Sequence, residues 1–198
     1  MPASDRVPAG RAGRLWLVHR VSVAERGADQ LERKVQLIAT EMERARQAAE
    51  HCRADWDVAC RHAELWALRA GLVGGSDGVR RAWAKPVDVD LSWTNTVGVR
   101  HPQSVHVATP DVPDVATTTA ALVTARKAFV TAARVAAELG AADATVEALD
   151  TSLRATRARA RILRRHWIPR LRSRLHDLEF ALEQTEQEDH ARLRRVVL

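Results

Sequence analysis

The stretch LVHRVSVAERGADQLERKVQLIATEM, residues 17–42, decides the fold, because its apolar residues recur at alternating steps of four and three. The same rhythm continues through Trp56 to Ala70 without a proline. A repeat of 3.5 residues keeps one apolar seam along a helix and is typical of a left-handed coiled coil. The stretch therefore predicts one long N-terminal helix over residues 14–70.

A second stripe with helical spacing runs through the C-terminal part of the chain and predicts a helix over residues 116–198. A single chain can pair two such helices only as an antiparallel hairpin, so an elongated coiled coil is expected. We expect Trp56 to lie level with Ala160 to within about four residues. The predicted seam consists of Leu17, Val21, Leu31, Val35, Ile38, Met42, Trp56, Trp66, Leu163, Trp167, Leu171, Leu175, Leu178 and Leu182.

Residues 71–115 separate the two helices and predict a small non-helical cap. The segment GLVGGSDG at 71–78 carries four glycines, which are expected to end the first helix. The segment VDVDLSW at 87–93 alternates apolar and polar residues, as a strand does, and predicts a β-hairpin. Residues 1–13, with two prolines and two glycines, predict a flexible leader. The predicted fold is mainly α, an antiparallel two-helix coiled coil with a central cap that contains a β-hairpin.

Pro169 lies inside the predicted C-terminal helix and disturbs it. The seam takes two consecutive steps of four from Leu163 through Trp167 to Leu171, a stutter that locally unwinds a supercoil. Proline cannot donate a hydrogen bond to the carbonyl of Arg165, and its ring collides with that carbonyl. The sequence therefore predicts a local helix bend at Pro169.

Positive charge is concentrated in one segment. The chain has 31 basic and 25 acidic residues, and residues 151–176 contain nine arginines and no acid. Four of these follow a seam position by one residue, so they are expected to meet Glu50, Asp57 and Glu64 of the first helix as a charge row that fixes register; they are Arg154, Arg157, Arg161 and Arg164. The other five are predicted to contact an acidic protein partner or a phosphate backbone; they are Arg159, Arg165, Arg170, Arg172 and Arg174.

The sequence predicts no catalytic residue, no cofactor site and no metal site. The glycine-rich segment lacks the GxxxxGK[ST] pattern of a phosphate-binding loop. His51, Cys52, Cys60 and His62 have metal-binding side chains, but on one helix the two histidines lie about 16 Å apart along the axis. Zinc ligands must each lie about 2.0–2.3 Å from one ion, so these four cannot share one.

The N-terminus lacks the apolar region of a signal peptide, and no run approaches the roughly 18 apolar residues of a membrane span. The two cysteines are expected to stay reduced. These features predict a soluble, cytoplasmic chain that reaches a membrane only through a partner.

Several segments resemble, in order, the D subunit of the V-type and archaeal A-type ATPases. The first helix has the family's pattern of small residue, glycine, leucine and lysine at Ala24, Gly27, Leu31 and Lys34, and VGVRHP at 97–102 resembles a motif of its cap. The closing part carries Thr156-Arg157, the IPRL motif at 168–171 and EFALEQTEQEDHARLRRV at 179–196. The usual RVNALE motif appears here as RARILR at 159–164, with arginines in place of an asparagine and a glutamate.

This resemblance implies a central-stalk rotor shaft that performs no bond chemistry and transmits torque between ATP synthesis or hydrolysis and proton transport. It implies three partners: a catalytic A/B-type hexamer, the small F subunit of the stalk and an adaptor of the membrane rotor. It also implies a cytoplasmic location, peripheral to the membrane. Two other interpretations remain open at this point: a coiled-coil protein that binds nucleic acid through residues 154–174, and a structural coiled coil that joins two partners.

Overall fold

The computed structural model describes residues 7–82, 88–108 and 119–196. Helix α1 spans Gly10–Ala82, strands β1 and β2 span Asp88–Thr96 and Val99–Ala108, and helix α2 spans Ala120–Ile162. A π-helical turn, Leu163–Trp167, leads into helix α3, Ile168–Val196. The mainly helical fold with a β-hairpin is confirmed. The chain divides into two compact units, which we name the terminal unit (residues 1–36 and 154–198) and the central unit (residues 37–153).

Helix α1 is longer than the sequence predicts. It begins at Gly10, inside the predicted leader, and continues past residue 70 to Ala82. Of the glycines expected to end it, Gly75 alone has a non-helical conformation, with φ 66° and ψ 174°. A glycine inside a helix costs only about 1 kcal/mol, so the others are tolerated. The positive φ at Gly75, which suits a residue without Cβ, interrupts the helix as the glycine-rich segment predicts, and a second helical segment continues from this kink to Ala82.

In the terminal unit the two chain segments pair antiparallel through large apolar side chains. Leu17, Val21 and Leu171 form the buried cluster, and Leu175 and Leu178 pack against it. The N-terminal segment adds to this cluster through Val7 and Trp16. Gly13 lies so close to the carbonyl oxygen of Pro8 that a Cβ there would approach this oxygen to 2.0 Å. The chain before α1 therefore folds back over the first turn of the helix.

In the central unit the helices also pair antiparallel, and around Ala63 they meet through small side chains. Ala63 packs with Ala128 and Ala132, and Ala70 packs with Leu122 and Ala125. Trp66 contacts both clusters from the side. The antiparallel pairing predicted from the sequence is thus present in each unit.

The predicted seam residues differ in burial. Leu17, Val21, Ile38, Met42 and Leu171 are buried. Seven others are half-buried: Leu31, Val35, Trp66, Leu163, Leu175, Leu178 and Leu182. The prediction is wrong for Trp167, whose side chain is 45% exposed, while the neighbouring Ile168 is 3% exposed. Trp56 is 36% exposed and lies at the margin of the seam.

The predicted register is also wrong. Trp56 lines a shallow cavity with Phe129, Ala132 and Ala136 instead of lying level with Ala160. The sequence pattern starts the pairing of the second helix near residue 149, because the apolar stripe breaks at Gly140. In the structure α2 begins at Ala120 and passes through Gly140, so pairing starts much earlier along the chain.

The β-hairpin belongs to the central unit and lies beside its helices. Val97 and Gly98 connect the strands with φ values of 55° and 77°, as a type I′ turn requires. A bulge between Ser92 and Trp93 shifts the register, so that Trp93 faces Pro102. A bulge is a place where a strand tolerates proline. The Thr145 hydroxyl donates a hydrogen bond of 3.3 Å to the carbonyl of Pro102, which holds the hairpin against α2.

Parts of the predicted boundaries lie outside the described residues. Within the predicted cap, residues 71–82 are helical except at Gly75, residues 88–108 form the hairpin, and residues 83–87 and 109–118 are not described. The predicted C-terminal helix, residues 116–198, corresponds to α2, the π-helical turn and α3 together.

Candidate interaction surface

The arginines of residues 154–174 fall into two groups, and the first holds the terminal unit together. Arg164 donates hydrogen bonds to Glu32 at 2.8 and 3.1 Å and also contacts Asp29. Arg172 forms an ion pair with Glu25. Of the arginines in the predicted charge row, Arg164 pairs with α1, but with Asp29 and Glu32 instead of the predicted Glu50, Asp57 and Glu64, and Arg157 and Arg161 form no ion pair with a described residue. The shift follows from the different register of the helices.

The Arg164 cluster changes the acidity of its members. The hydrogen bonds from Arg164, more than its charge alone, lower the pKa of Glu32 below its usual value. The same contacts, led by the hydrogen bond to Glu32, raise the pKa of Arg164. Both side chains are exposed, so water screens the interaction. The cluster serves mainly to align α1 with the π-helical turn.

The second group of arginines is exposed and forms no ion pair with any residue that the structure describes. It consists of Arg157, Arg159, Arg161, Arg165 and Arg170. Two large apolar side chains, Ile162 and Trp167, are exposed in the same stretch at 48% and 45%. We name these seven residues the arginine surface. Arginine and tryptophan are the residue types that contribute most to binding at protein interfaces.

The five arginines predicted to contact a partner are therefore not equivalent. Arg159, Arg165 and Arg170 belong to the arginine surface, whereas Arg172 is bound to Glu25 and Arg174 is half-buried. Ile162 and Trp167 were missed by sequence reasoning. The seam pattern placed Trp167 inside, and only the π-helical turn moves it to the surface.

The central unit exposes two apolar surfaces of its own. Val58, Leu65, Leu68 and Leu72 are exposed on α1 at helical spacing. On strand β1 the alternating Val89, Leu91 and Trp93 are exposed on one face of the hairpin, and the Arg100 guanidinium lies 4.9 Å from the Trp93 ring centre. Apolar side chains grouped in this way mark surfaces that partners cover.

The histidines and cysteines of α1 make contacts that suit a structural role. His62 accepts a hydrogen bond of 3.1 Å from the Trp66 indole, and His51 lies 3.6 Å from Asp55. Both cysteines are free thiols. Burial, more than the nearby carboxylates, raises the pKa of Cys52, which keeps this side chain a thiol. Over residues 7–82, 88–108 and 119–196, no group of three or more His, Cys, Asp and Glu side chains could hold a metal ion.

Within the described part of the chain, no helix combines the length and the apolar character needed to cross a membrane.

The sequence model of the family described as the D subunit of ATP synthase matches residues 15–197. No curated protein matches the chain. The matched range includes both units and the arginine surface, and it agrees with the resemblance found in the sequence motifs.

Proposed function

This chain belongs to the ATP synthase D-subunit family, whose members are non-catalytic stalk proteins of rotary ATPases, and from that premise we propose that it is the rotor shaft of a V-type or A-type central stalk. In this role it transmits torque between a catalytic nucleotide-binding hexamer and a membrane ion-translocating rotor. ATP synthesis or hydrolysis is thereby coupled to proton transport, and the chain itself performs no bond chemistry.

The observation that carries this proposal is the set of five ion pairs between the helices of the terminal unit. Arg11 binds Glu186, Arg14 binds Glu179, and Arg172 binds Glu25, while Arg164 binds both Asp29 and Glu32. One exposed ion pair contributes at most about 1 kcal/mol. Several pairs along one seam nevertheless oppose sliding of one helix past the other, which is what a shaft under torsion requires.

The arginine surface supports a contact with the catalytic hexamer. Its five guanidiniums make no ion pair with described residues, and Trp167 and Ile162 add apolar area. A partner with acidic loops would match this charge. We assign Arg159, Arg165 and Arg170 to that contact and treat Arg172 and Arg174 as neighbouring residues that support it.

The two apolar surfaces of the central unit support contacts with the remaining partners. We assign the α1 surface around Leu68 and the hairpin face around Trp93 to the small F subunit of the stalk and to the adaptor of the membrane rotor. Through these contacts the chain is cytoplasmic and peripheral to the membrane.

The decisive experiment reconstitutes the rotary complex with and without this chain and measures ATP turnover and proton pumping together. We expect coupled pumping only when the chain is present. The triple variant Arg159→Glu, Arg165→Glu and Arg170→Glu should lower coupled pumping about tenfold, which corresponds to about 1.4 kcal/mol of lost interaction. The control triple variant, Arg26→Glu, Arg33→Glu and Arg46→Glu, changes exposed arginines outside the arginine surface and should stay within about twofold of the parent.

A nucleic-acid-binding function predicts a different result, because the same arginines could face phosphates. The isolated chain would then bind DNA with an affinity that falls steeply as salt rises, since each neutralised phosphate releases counterions. Full coupled pumping without the chain, together with such DNA binding, would refute the rotor assignment.

A further inference from the structure

The inward-facing residues of the C-terminal helices keep alternating steps of four and three except at one place. In the terminal unit the series is Thr156, Ala160, Leu163, Ile168, Leu171, Leu175, Leu178 and Leu182. The step from Leu163 to Ile168 is five residues, and it coincides with the π-helical turn. The Ile168 N–H donates to the carbonyl of Leu163, five residues back. A π-turn takes up one residue more than an α-turn, so the extra residue is absorbed within this turn.

The sequence is also compatible with a second helical register for residues 163–171. With Trp167 inward, the steps from Leu163 to Leu171 become four and four, and the helix can remain α-helical with a stutter. Leu163 and Leu171 face the seam in both arrangements. The two registers therefore differ only in which adjacent apolar side chain, Trp167 or Ile168, occupies one place in the seam.

Both ends of this turn are fixed from α1. Arg164, directly after Leu163, is bound to Glu32 and Asp29. Arg172, directly after Leu171, is bound to Glu25. The change of register therefore takes place between two ion-pair anchors, and the local unwinding at the stutter must absorb the difference in rotation. Residues 165–170, which lie between the anchors, include two arginines of the arginine surface.

Pro169 favours the register seen in the structure. In an unbroken α-helix its ring would press on the carbonyl of Arg165, and that carbonyl would lose its hydrogen-bond donor. The wider π-turn moves the preceding carbonyls away from the ring. Without the proline this penalty of the α-helical register disappears.

We propose that residues 163–171 are a two-register switch, with Ile168 in the seam in the π register and Trp167 in the seam in the α register. Pro169 holds the switch in the π register. Passage to the α register buries Trp167 and turns Arg165 and Arg170 about the helix axis, so the arginine surface has two forms. The inference concerns the chain alone and does not depend on its partners.

The test uses the full chain labelled with 5-fluorotryptophan and measures the ¹⁹F resonance of Trp167, assigned by its loss in Trp167→Phe. The shift between H₂O and D₂O reports solvent exposure of the ring. In the parent chain we expect an exposed Trp167, with the buried form below about a tenth of the population. Pro169→Ala should raise the buried form above half, and Pro169→Ala with Ile168→Ala should make it dominant. Ser173→Ala, an exposed change on the same helix, should behave as the parent.

Circular dichroism verifies that each variant is folded. Alanine is the best helix former, so Pro169→Ala keeps its helix content and tests the switch even where the double variant unfolds. A Trp167 resonance with the parental solvent shift in Pro169→Ala would overturn the proposal. A Trp167 that is already buried in the parent would overturn it as well.

Discussion

Around Leu17 in the terminal unit the helices meet through Leu17 and Leu171, whereas around Ala63 in the central unit they meet through Ala63, Ala128 and Ala132. Large side chains hold two helices by filling the volume between them. Alanines hold two helices together in another way: because the side chain is small, the two backbones come close and almost no space remains between them. The same antiparallel pairing thus depends on large side chains around Leu17 and on small ones around Ala63, while Ile38, Leu122, Leu149 and Leu153 bury large side chains elsewhere in the central unit.

Charged contacts connect the helices in both units. In the terminal unit they include the pairs formed by Arg11, Arg14, Arg164 and Arg172, and in the central unit they include Arg53 with Asp143 at 3.0 Å. The central unit also has the hairpin, held at Pro102 by Thr145. The described part of the terminal unit contains no strand, so this lateral contact distinguishes the two units.

The largest loss of stability is expected when a buried leucine of the terminal unit is replaced by alanine. Leu17 is 1% exposed, and Leu17→Ala removes buried contacts and leaves a cavity, so we expect a loss of about 3 kcal/mol in the free energy of unfolding. Urea denaturation followed by circular dichroism measures it. The matched control Leu15→Ala, at a residue that is 68% exposed, should change stability by less than about 0.5 kcal/mol. Equal losses in both variants would contradict the size-dependent seam.

A smaller loss of stability is expected when a buried alanine of the central unit is replaced by leucine. Ala128 is buried against Ala63 and Ala132, so Ala128→Leu forces the helices apart and should cost about 2 kcal/mol. The exposed Ala54→Leu adds the same side chain without crowding and serves as the control in the same urea denaturation. A stabilised Ala128→Leu would show that the alanine cluster has unfilled space, and the contrast between the two contact sites would disappear.

The smallest effect concerns the charge pairs and depends on pH. The folded chain lowers the pKa of Glu32 below the ordinary value of 4.5. This contribution to stability is therefore present above about pH 4.5 and is lost as the pH falls through the lowered pKa. Glu32→Gln should lower the Tm at pH 7, and the difference from the parent should shrink towards pH 3. Glu43→Gln, in the central unit and without an ion pair to a described residue, should show no such convergence.

The sequence was sufficient for the helices and the hairpin but not for their register. The step pattern from Leu17 to Ala70 identified the face of α1 that packs. A slide by seven residues, however, places apolar residues opposite apolar residues again, so the pattern cannot choose among registers. The choice depends on contacts distant in sequence, such as Arg164 with Glu32 and Arg53 with Asp143.

The arginine surface was predicted in part for a related reason. Counting charges located the segment, and Arg159, Arg165 and Arg170 are exposed as expected. The pattern could not decide between Trp167 and Ile168, since both are large, apolar and adjacent. The signal that favours Ile168 is Pro169, whose ring excludes a regular α-turn before it. From the sequence, Pro169 predicted only a bend, and the change in register was not predicted.

At Gly13, a single added atom, the Cβ of any other residue, limits which amino acids this position can accept over evolution. Because a Cβ at this residue would approach the Pro8 carbonyl oxygen to 2.0 Å, every missense change of its codon displaces the segment that carries Val7. Alanine is normally a gain inside a helix, so a substitution score based on helix preference would rate this change as harmless. Position 13 is instead expected to vary little among orthologues that keep the preceding segment folded over the helix.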